Sequence, residues 1–424
     1  MEHSVEEVTL KNGMAGLLIR VPGSKVVNFS IGFRAGFAYS KPKTWEMPHL
    51  LEHTIFCANA EYDDKIEFQA EIEKNGAEFH AYTDRYLINY AGEAATIEDT
   101  RVLHLVNLAI GTVKLKDDEV ASEISNVREE LKMRLSEHDV TAYEVLVDQM
   151  TDQRTREQGL TSLANITPAA LRRYHQATHT QGNLRFVLGG DLRHSQRLLQ
   201  QLEDELSMLR VVPQPTIPAE HIVGLTKPVI LKRRIQQIYY EIHHYFGTTA
   251  PVEWAAKVVL RTILAGRWKS WIYGEARRRG LAYHVGLSID AEPHYSLSRL
   301  AAFVTPENIT PLFELFRDKL LQAKRGDFSE AEIEEAKLYL IGSRLRAYKT
   351  PGSLVGWYAG DYFVHDFKGT FQQFQTAIEQ VSRQDLIELV TKMFAQPKWG
   401  VSFVGNITEA KARELHGVLA EIWN

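Results

Sequence analysis

Two imidazoles and a carboxylate fall within five residues, HLLEH, at positions 49 to 53. On a helix, residues four apart share one face, with their Cβ atoms about 5–6 Å apart. His49 and His53 can therefore offer two nitrogens to one divalent ion, with Glu52 beside them. Pro48 suits the first helical turn, where its missing N–H is not needed. A catalytic zinc takes three protein ligands and keeps one position open for water. HLLEH supplies only two, and this spacing also arises by chance in many helices. The choice between a metal site and an ordinary helix rests on a third ligand.

An acidic stretch downstream, ASEISNVREEL (121 to 131), carries Glu123 and Glu130 seven residues apart. Seven residues is nearly two helical turns, so both side chains point the same way. Glu129, adjacent and equally acidic, points off that face towards the solvent side of a charged helix and is read as solvated.

His49-Leu50-Leu51-Glu52-His53 has the order His-x-x-Glu-His, the inverse of the commoner zincin motif. With Glu123 and Glu130 it resembles the pitrilysin family, which includes insulin-degrading enzyme and the mitochondrial processing peptidases. That resemblance implies a zinc metalloendopeptidase with one Zn²⁺ per chain, held by His49, His53 and Glu130. Glu130 matches the family's third ligand, some seventy-odd residues past the second histidine. Glu123 matches the carboxylate that supports a ligand from behind. Glu52 would take a proton from the water the metal activates and pass it to the leaving amine. "NGAEFHAYTDRYLINYAG" (75 to 92) is similar to the family's edge strand, where Phe79, His80, Ala81, Tyr82 and Thr83 would pair with an extended peptide. The family usually has Asn where this chain has His80. In the second half, "EARRRGLAYHV" (275 to 285) resembles a segment that supplies an Arg and a Tyr to the substrate. Tyr283 fits. The arginine's expected place is Ala276, so either a one-residue slip brings Arg277 into the role or a partner chain supplies it.

The family's closed chamber is built from four such domains. Two are present here, so the resemblance implies a homodimer or a heterodimer with a related subunit, acting on unfolded peptides. The alternative is a catalytically silent structural subunit, or a peptide-maturation partner active only with a second subunit.

Other candidate ligands have plainer readings. Cys57, one turn past His53, reads as a small buried apolar residue. His80 on a strand reads as a polar rim residue. His243 and His244 are adjacent on a strand and face opposite sides, so they cannot chelate together. His175 and His179 read as structural.

Positioning these groups takes an organised scaffold, and the chain repeats itself. Residues 166–192 align without a gap with 381–407, bringing Thr167 onto Ser382, Leu171 onto Leu386, and Gly190-Asp191-Leu192 onto Gly405-Asn406-Ile407. In both copies a Ser or Thr caps a helix, a strand follows, and a Gly-Asp or Gly-Asn turn leads into another helix. Between the halves, Pro213, Pro215, Pro218 and Pro228 read as an extended linker. The expected organisation is a catalytic domain at 1–212, a linker at 213–228, and a homologous domain without the zinc motif at 229–424.

Asn12-Gly13 predicts a hairpin, and VVNFSIGFRAG and IQQIYYEIHHYF alternate as half-buried strands. Helices are predicted at 46–58, 64–75, 96–115 and 117–136, then at 251–278, 306–325 and 329–348. Strands grouped with helices favour α+β over a doubly wound sheet. The resemblance to the pitrilysin family implies that each domain is a mainly antiparallel sheet packed with helices, of the metalloenzyme type shared by LuxS and pitrilysin.

Composition agrees with a globular chain of 424 residues, 44% apolar and 24% charged, with a net charge of −5. Interspersed signs argue against a nucleic-acid partner. The single cysteine rules out an intrachain disulfide. No apolar run reaches the roughly 20 residues that span a bilayer. The opening MEHSVEEVTLKNG lacks the basic and apolar regions of a secretory signal, so the expectation is a soluble cytoplasmic protein.

Overall fold

The Asn12-Gly13 turn joins β1 (Ser4–Thr9) to β2 (Ala15–Arg20), antiparallel with Ser4 opposite Arg20. The alternating run that follows becomes β3 (Val26–Arg34). With β4 (Glu78–Thr83), β5 (Leu87–Ala95) and β6 (Leu184–Gly190) these form a six-stranded sheet in the order β1-β2-β6-β3-β5-β4. Only β2 and β6 run parallel. In the computed structural model, which describes residues 1–247, 253–366 and 369–423, a second sheet repeats this plan. Its strands are β7 (Val229–Lys232), β8 (Ile238–Phe246), β9 (Val285–Ala291), β10 (Ser296–Val304) and β11 (Trp399–Gly405), in the order β7-β11-β8-β10-β9. Here too only the β7-β11 pair is parallel. The architecture is α+β.

The internal repeat has a structural counterpart. Helix Pro168–Thr178 and β6 align with helix Arg383–Phe394 and β11. Thr167 caps the first helix by accepting from Ala170 N, and Ser382 caps the second by accepting from Asp385 N. At the strand ends, Gly190 has φ +149° and Gly405 has φ +147°, where a Cβ would lie 2.7 Å from the Val26 and Gln237 carbonyl oxygens respectively. Only glycine suits both positions.

The chain divides into two compact units, and not by a single cut. The first comprises Met1–Met133, Arg156–Pro218 and Leu345–Lys368, and the second Arg134–Thr155, Ala219–Arg344 and Gly369–Asn424. Each sheet is thus covered on one face by a helix from the other half of the sequence. Helix Pro351–His365 lies across β3 and β6. Its Leu354, Val355, Tyr358, Tyr362 and Phe363 form a buried cluster with Leu17, Ile19 and Val187. The close approach uses glycine, since a Cβ on Gly32 would lie 2.5 Å from the Phe363 ring. Burying an aromatic or aliphatic side chain of this size contributes about 1.5–3 kcal/mol, so these residues anchor the helix firmly. In the second unit, helix His138–Met150 covers β8 and β11, and Ser402 donates from Oγ to the Ala142 carbonyl at 2.6 Å. The opposite face of the first sheet carries the main core, with Phe29, Ile31, Leu50, Leu51, Val106, Val127 and Leu171 among its buried members.

One predicted helix is corrected. The span 251–278 is two helices, Trp254–Ala265 and Tyr273–Arg278; residues 251 and 252 lie outside the described residues. Gly266 ends the first, and Ser270 begins a new hydrogen-bonded turn by donating from Oγ to the Arg267 carbonyl at 2.6 Å. Helix 46–58 is also shorter than predicted, ending at Thr54.

Candidate metal centre

The HLLEH helix, Met47–Thr54, carries Pro48 in its first turn and packs against β4. Leu50, Leu51 and Ile55 are fully buried and fix it in the core. That leaves His49, Glu52 and His53, spaced i, i+3 and i+4, on the remaining face. The acidic helix, Asp117–Arg134, buries Val120, Glu123, Val127 and Leu131 along one stripe. Glu130 extends the Glu123 side of that helix by two turns. Glu129 is 70% exposed at its side chain and pairs with Lys132 at 2.7 Å.

The two helices bring His49, His53 and Glu130 together, with ligand atoms all within 4.8 Å of one another. His49 Nε2 lies 3.5 Å and His53 Nε2 3.3 Å from Glu130 Oε2. Donors around a tetrahedral zinc with bonds of 2.0–2.1 Å stand about 3.3–3.4 Å apart, so the spacing fits. The other nitrogen of each ring faces a buried carboxylate. His49 Nδ1 is 2.9 Å from Glu46 Oε2, and His53 Nδ1 is 3.4 Å from Glu123 Oε2. Carboxylates in that position fix the ring and raise the basicity of the nitrogen facing the metal. Among the described residues this is the only such group.

The electrostatics favour a cation. Burial by itself lowers the affinity of His49 for a proton, but hydrogen bonds to Glu130 and Glu46 outweigh it and raise the pKa to about 10. Burial likewise opposes ionisation of Glu123, yet hydrogen bonds from His53, Lys65 and Asn126 bring its pKa down to about 2. Lys65 Nζ is 2.5 Å from Glu123 Oε1. Glu52 goes the other way: burial raises its pKa, and the nearby His49 and a hydrogen bond from the Thr83 hydroxyl only partly offset this.

The remaining candidates fall elsewhere. Cys57 is buried, and burial together with the Glu123 charge pushes its thiol up to about 12, so it carries no thiolate for a metal. His80 is exposed, 3.5 Å from Glu78 Oε2. His175 Nε2 sits 2.9 Å from the Ile110 carbonyl, and His179 Nε2 2.7 Å from the Tyr90 hydroxyl, both buried. His243 and His244 are buried with separate partners, Glu241 and the Gln396 carbonyl.

β4 is a sheet edge, paired with β5 alone among the described residues. Phe79 is buried, Ala81 and Thr83 are half-buried, and His80 and Tyr82 are exposed. In the second unit, Arg277 and Tyr283 come together: Arg277 Nη1 donates to the Tyr283 carbonyl at 2.9 Å. The guanidinium lies 4.5 Å from the Tyr283 ring centroid and 4.9 Å from that of Trp268. Ala276 is fully buried.

Sequence reasoning did not find Glu46, Lys65 or the closeness of Thr83 to Glu52. Glu46 had a usable signal, standing three residues before His49 and so on its face of the helix. Lys65 and Thr83 reach the site only through tertiary structure.

A two-unit α+β chain with an inverted His-x-x-Glu-His face and a third candidate ligand, a carboxylate, from a second helix fits a class of metallopeptidase fold. A family model described as insulinase (peptidase family M16) matches residues 17–162, and one described as peptidase M16 inactive domain matches residues 165–340. The chain belongs to the M16 (insulinase) peptidase family, whose proteases are zinc-dependent metalloendopeptidases. It is 18% identical over 412 residues to zinc protease PqqE of Helicobacter pylori, covering 92% of this chain and 90% of that protein. A solved protease from Helicobacter pylori superposes with a TM-score of 0.82 at 17% identity, over 95% of this chain and 100% of that one. A structure described as peptidase M16 inactive domain, from Pseudomonas fluorescens, gives a TM-score of 0.82 at 16% identity, over 96% and 98%. A putative M16-like peptidase from Alicyclobacillus acidocaldarius gives 0.79 at 16%, over 95% and 98%. No described helix is long and apolar enough to cross a membrane.

Proposed function

We propose that this chain is a zinc-dependent endopeptidase that cleaves unfolded peptides inside a chamber formed as a homodimer or with a related subunit. The observation that carries this reading is the convergence of His49, His53 and Glu130 at donor spacings that suit one zinc. When bound there, such an ion would polarise a peptide carbonyl and lower the pKa of a water molecule.

The chain's own residues supply the rest. Glu52 sits on the same helical face as both histidines, and its raised pKa suits a base that takes a proton at its carboxylate and returns it to the leaving amine. Thr83, on β4, lies beside that carboxylate and lowers its pKa in part. Glu123, held by Lys65, orients His53. The open edge of β4 offers main-chain groups to an extended peptide along Phe79, His80, Ala81, Tyr82 and Thr83. By the family resemblance, Tyr283 and Arg277 would contact the substrate. A cytoplasmic setting and the absence of a nucleic-acid partner complete the reading.

The test pairs metal content with cleavage of a mixed peptide library, for wild type and Glu52→Gln. About one zinc per chain in both proteins, with cleavage by wild type alone, is the expected result. A wild type that takes up no zinc when supplied with it would refute the reading. A second reading, a silent subunit or a partner-dependent peptidase, is favoured by Arg277: its guanidinium is already bonded to the Tyr283 carbonyl, and alanine holds the arginine's place. Zinc binding without cleavage, reversed by adding a related subunit, would select it.

A further inference from the structure

We propose that Glu46 is a positioning residue for His49, and that Gly159 is glycine because the Glu46 carboxylate occupies the space of its side chain. The inference rests on the zinc reading above and adds a residue to it.

Glu46 is 3% exposed, and its Oε2 lies 2.9 Å from His49 Nδ1. A buried carboxylate needs partners, because an uncompensated charge in a protein interior is strongly unfavourable. Its main chain is also held, the Glu46 N–H donating to Ser162 Oγ at 3.1 Å. Ser162 and Gly159 both belong to the helix Arg156–Leu163. A Cβ on Gly159 would stand 2.3 Å from Glu46 Oε1 and 3.1 Å from its Cδ. Glycine inside a helix is less favourable than alanine by about 1 kcal/mol, and Gly159 has no left-handed backbone to explain it. The space above it does.

The two histidines are therefore oriented by different means. His53 takes its carboxylate, Glu123, from the acidic helix that also bears Glu130. His49 takes its carboxylate from its own helix, one turn earlier, backed by the Arg156–Leu163 helix. With Nδ1–H donated to Glu46, His49 presents the Nε2 lone pair towards Glu130 and a metal between them.

The experiment measures zinc affinity of the full-length, metal-stripped chain by competition with a chromophoric chelator. Four proteins are compared: wild type, Glu46→Gln, Gly159→Ala and the double variant. Glu46→Gln keeps the shape and removes the charge, and it should weaken binding about 10–100-fold, the usual effect of losing such a partner. Gly159→Ala removes no polar group and should favour the helix, yet it should weaken zinc binding because the methyl displaces the carboxylate. A purely structural role for Gly159 would not produce that loss at unchanged helix content by circular dichroism. The double variant should bind no more weakly than Glu46→Gln, since both changes remove one interaction. Losses that multiply in the double variant, or a Glu46→Gln affinity within about twofold of wild type, overturn the proposal and leave the zinc reading intact. A wild type that binds no zinc overturns both. If Glu46→Gln does not fold, a wild-type affinity in Gly159→Ala overturns the proposal by itself.

Discussion

Replacing Glu123 by Gln in the metal-free chain tests whether the site's ionic framework also stabilises the first unit. Glu123 is buried and accepts from Lys65 at 2.5 Å and from Asn126 at 3.1 Å, with His53 Nδ1 at 3.4 Å. Its pKa is about 2 in the folded chain against 4.5 as a free side chain. A folded-state pKa below the unfolded one means that the folded chain favours the ionised form. The stabilisation is then complete above the unfolded pKa and is lost as pH falls from about 4.5 through about 2. A difference of about 2.5 units corresponds to about 3 kcal/mol near pH 7, falling to about 1.4 kcal/mol near pH 3. For a unit of this size, about 3 kcal/mol moves a thermal midpoint by about 6–12 °C. The assay is thermal unfolding followed by circular dichroism at both pH values, with chelator present. The variant should melt well below wild type near pH 7 and draw closer to it near pH 3. Equal midpoints near neutrality, or a gap as wide in acid as at neutral pH, would refute the electrostatic account.

Two further outcomes follow from the fold. Phe363→Ala should cost about 3–5 kcal/mol, because its ring lies over Gly32 and anchors the Pro351–His365 helix on the first sheet; a melting profile matching wild type would remove that helix from the stability of the unit. His244 is held neutral by burial, which lowers its pKa to about 4 against the hydrogen bond to Gln396. A depressed histidine leaves the unfolded chain binding more protons, so stability is full above pH 6.5 and drops as pH falls towards about 4, by about 3 kcal/mol in total. His244→Gln should flatten that part of the curve, and an unchanged slope in urea melts between pH 7 and 4 would count against it.

Much of the site was legible because it is local. The 3.6-residue period puts His49, Glu52 and His53 on one face and Glu123 and Glu130 on another, whatever lies around them. What brought the two faces together on paper was the resemblance to a known family; periodicity contains no term for the distance between helices. Glu46 was missed although it obeys the same i, i+3 rule, because a lone Glu before a Pro reads as a solvated helix start. Only the Arg156–Leu163 helix behind it makes it buried. The helix exchange was invisible for a related reason. The pattern of Pro351–His365 says that a face is apolar, not which sheet receives it, and the Pro-rich stretch invited a linear division of the chain. The break after Ala265 went unseen because apolar residues continue across it and the turn is made by hydrogen bonds around Ser270.

The second unit shows what separates a scaffold from a site. Its sheet order matches the first strand for strand, apart from β1. Helix Trp254–Ala265 packs on the edge strand β9 as the HLLEH helix packs on β4. Yet it carries no histidine or carboxylate, and its one buried cation, Lys257, donates to Ser296 Oγ at 2.8 Å. Acidity does persist on the helix Glu330–Ala347, which follows in the place of the acidic helix. Those carboxylates are committed elsewhere: Glu335 pairs with Arg267 and Lys269, each at 2.8 Å, and Glu332 accepts from Trp271 Nε1 at 2.6 Å. Placing two histidines on Trp254–Ala265 would therefore not recreate the centre. The facing nitrogens would lack both a third ligand such as Glu130 and the buried carboxylates that stand behind His49 and His53 in the first unit.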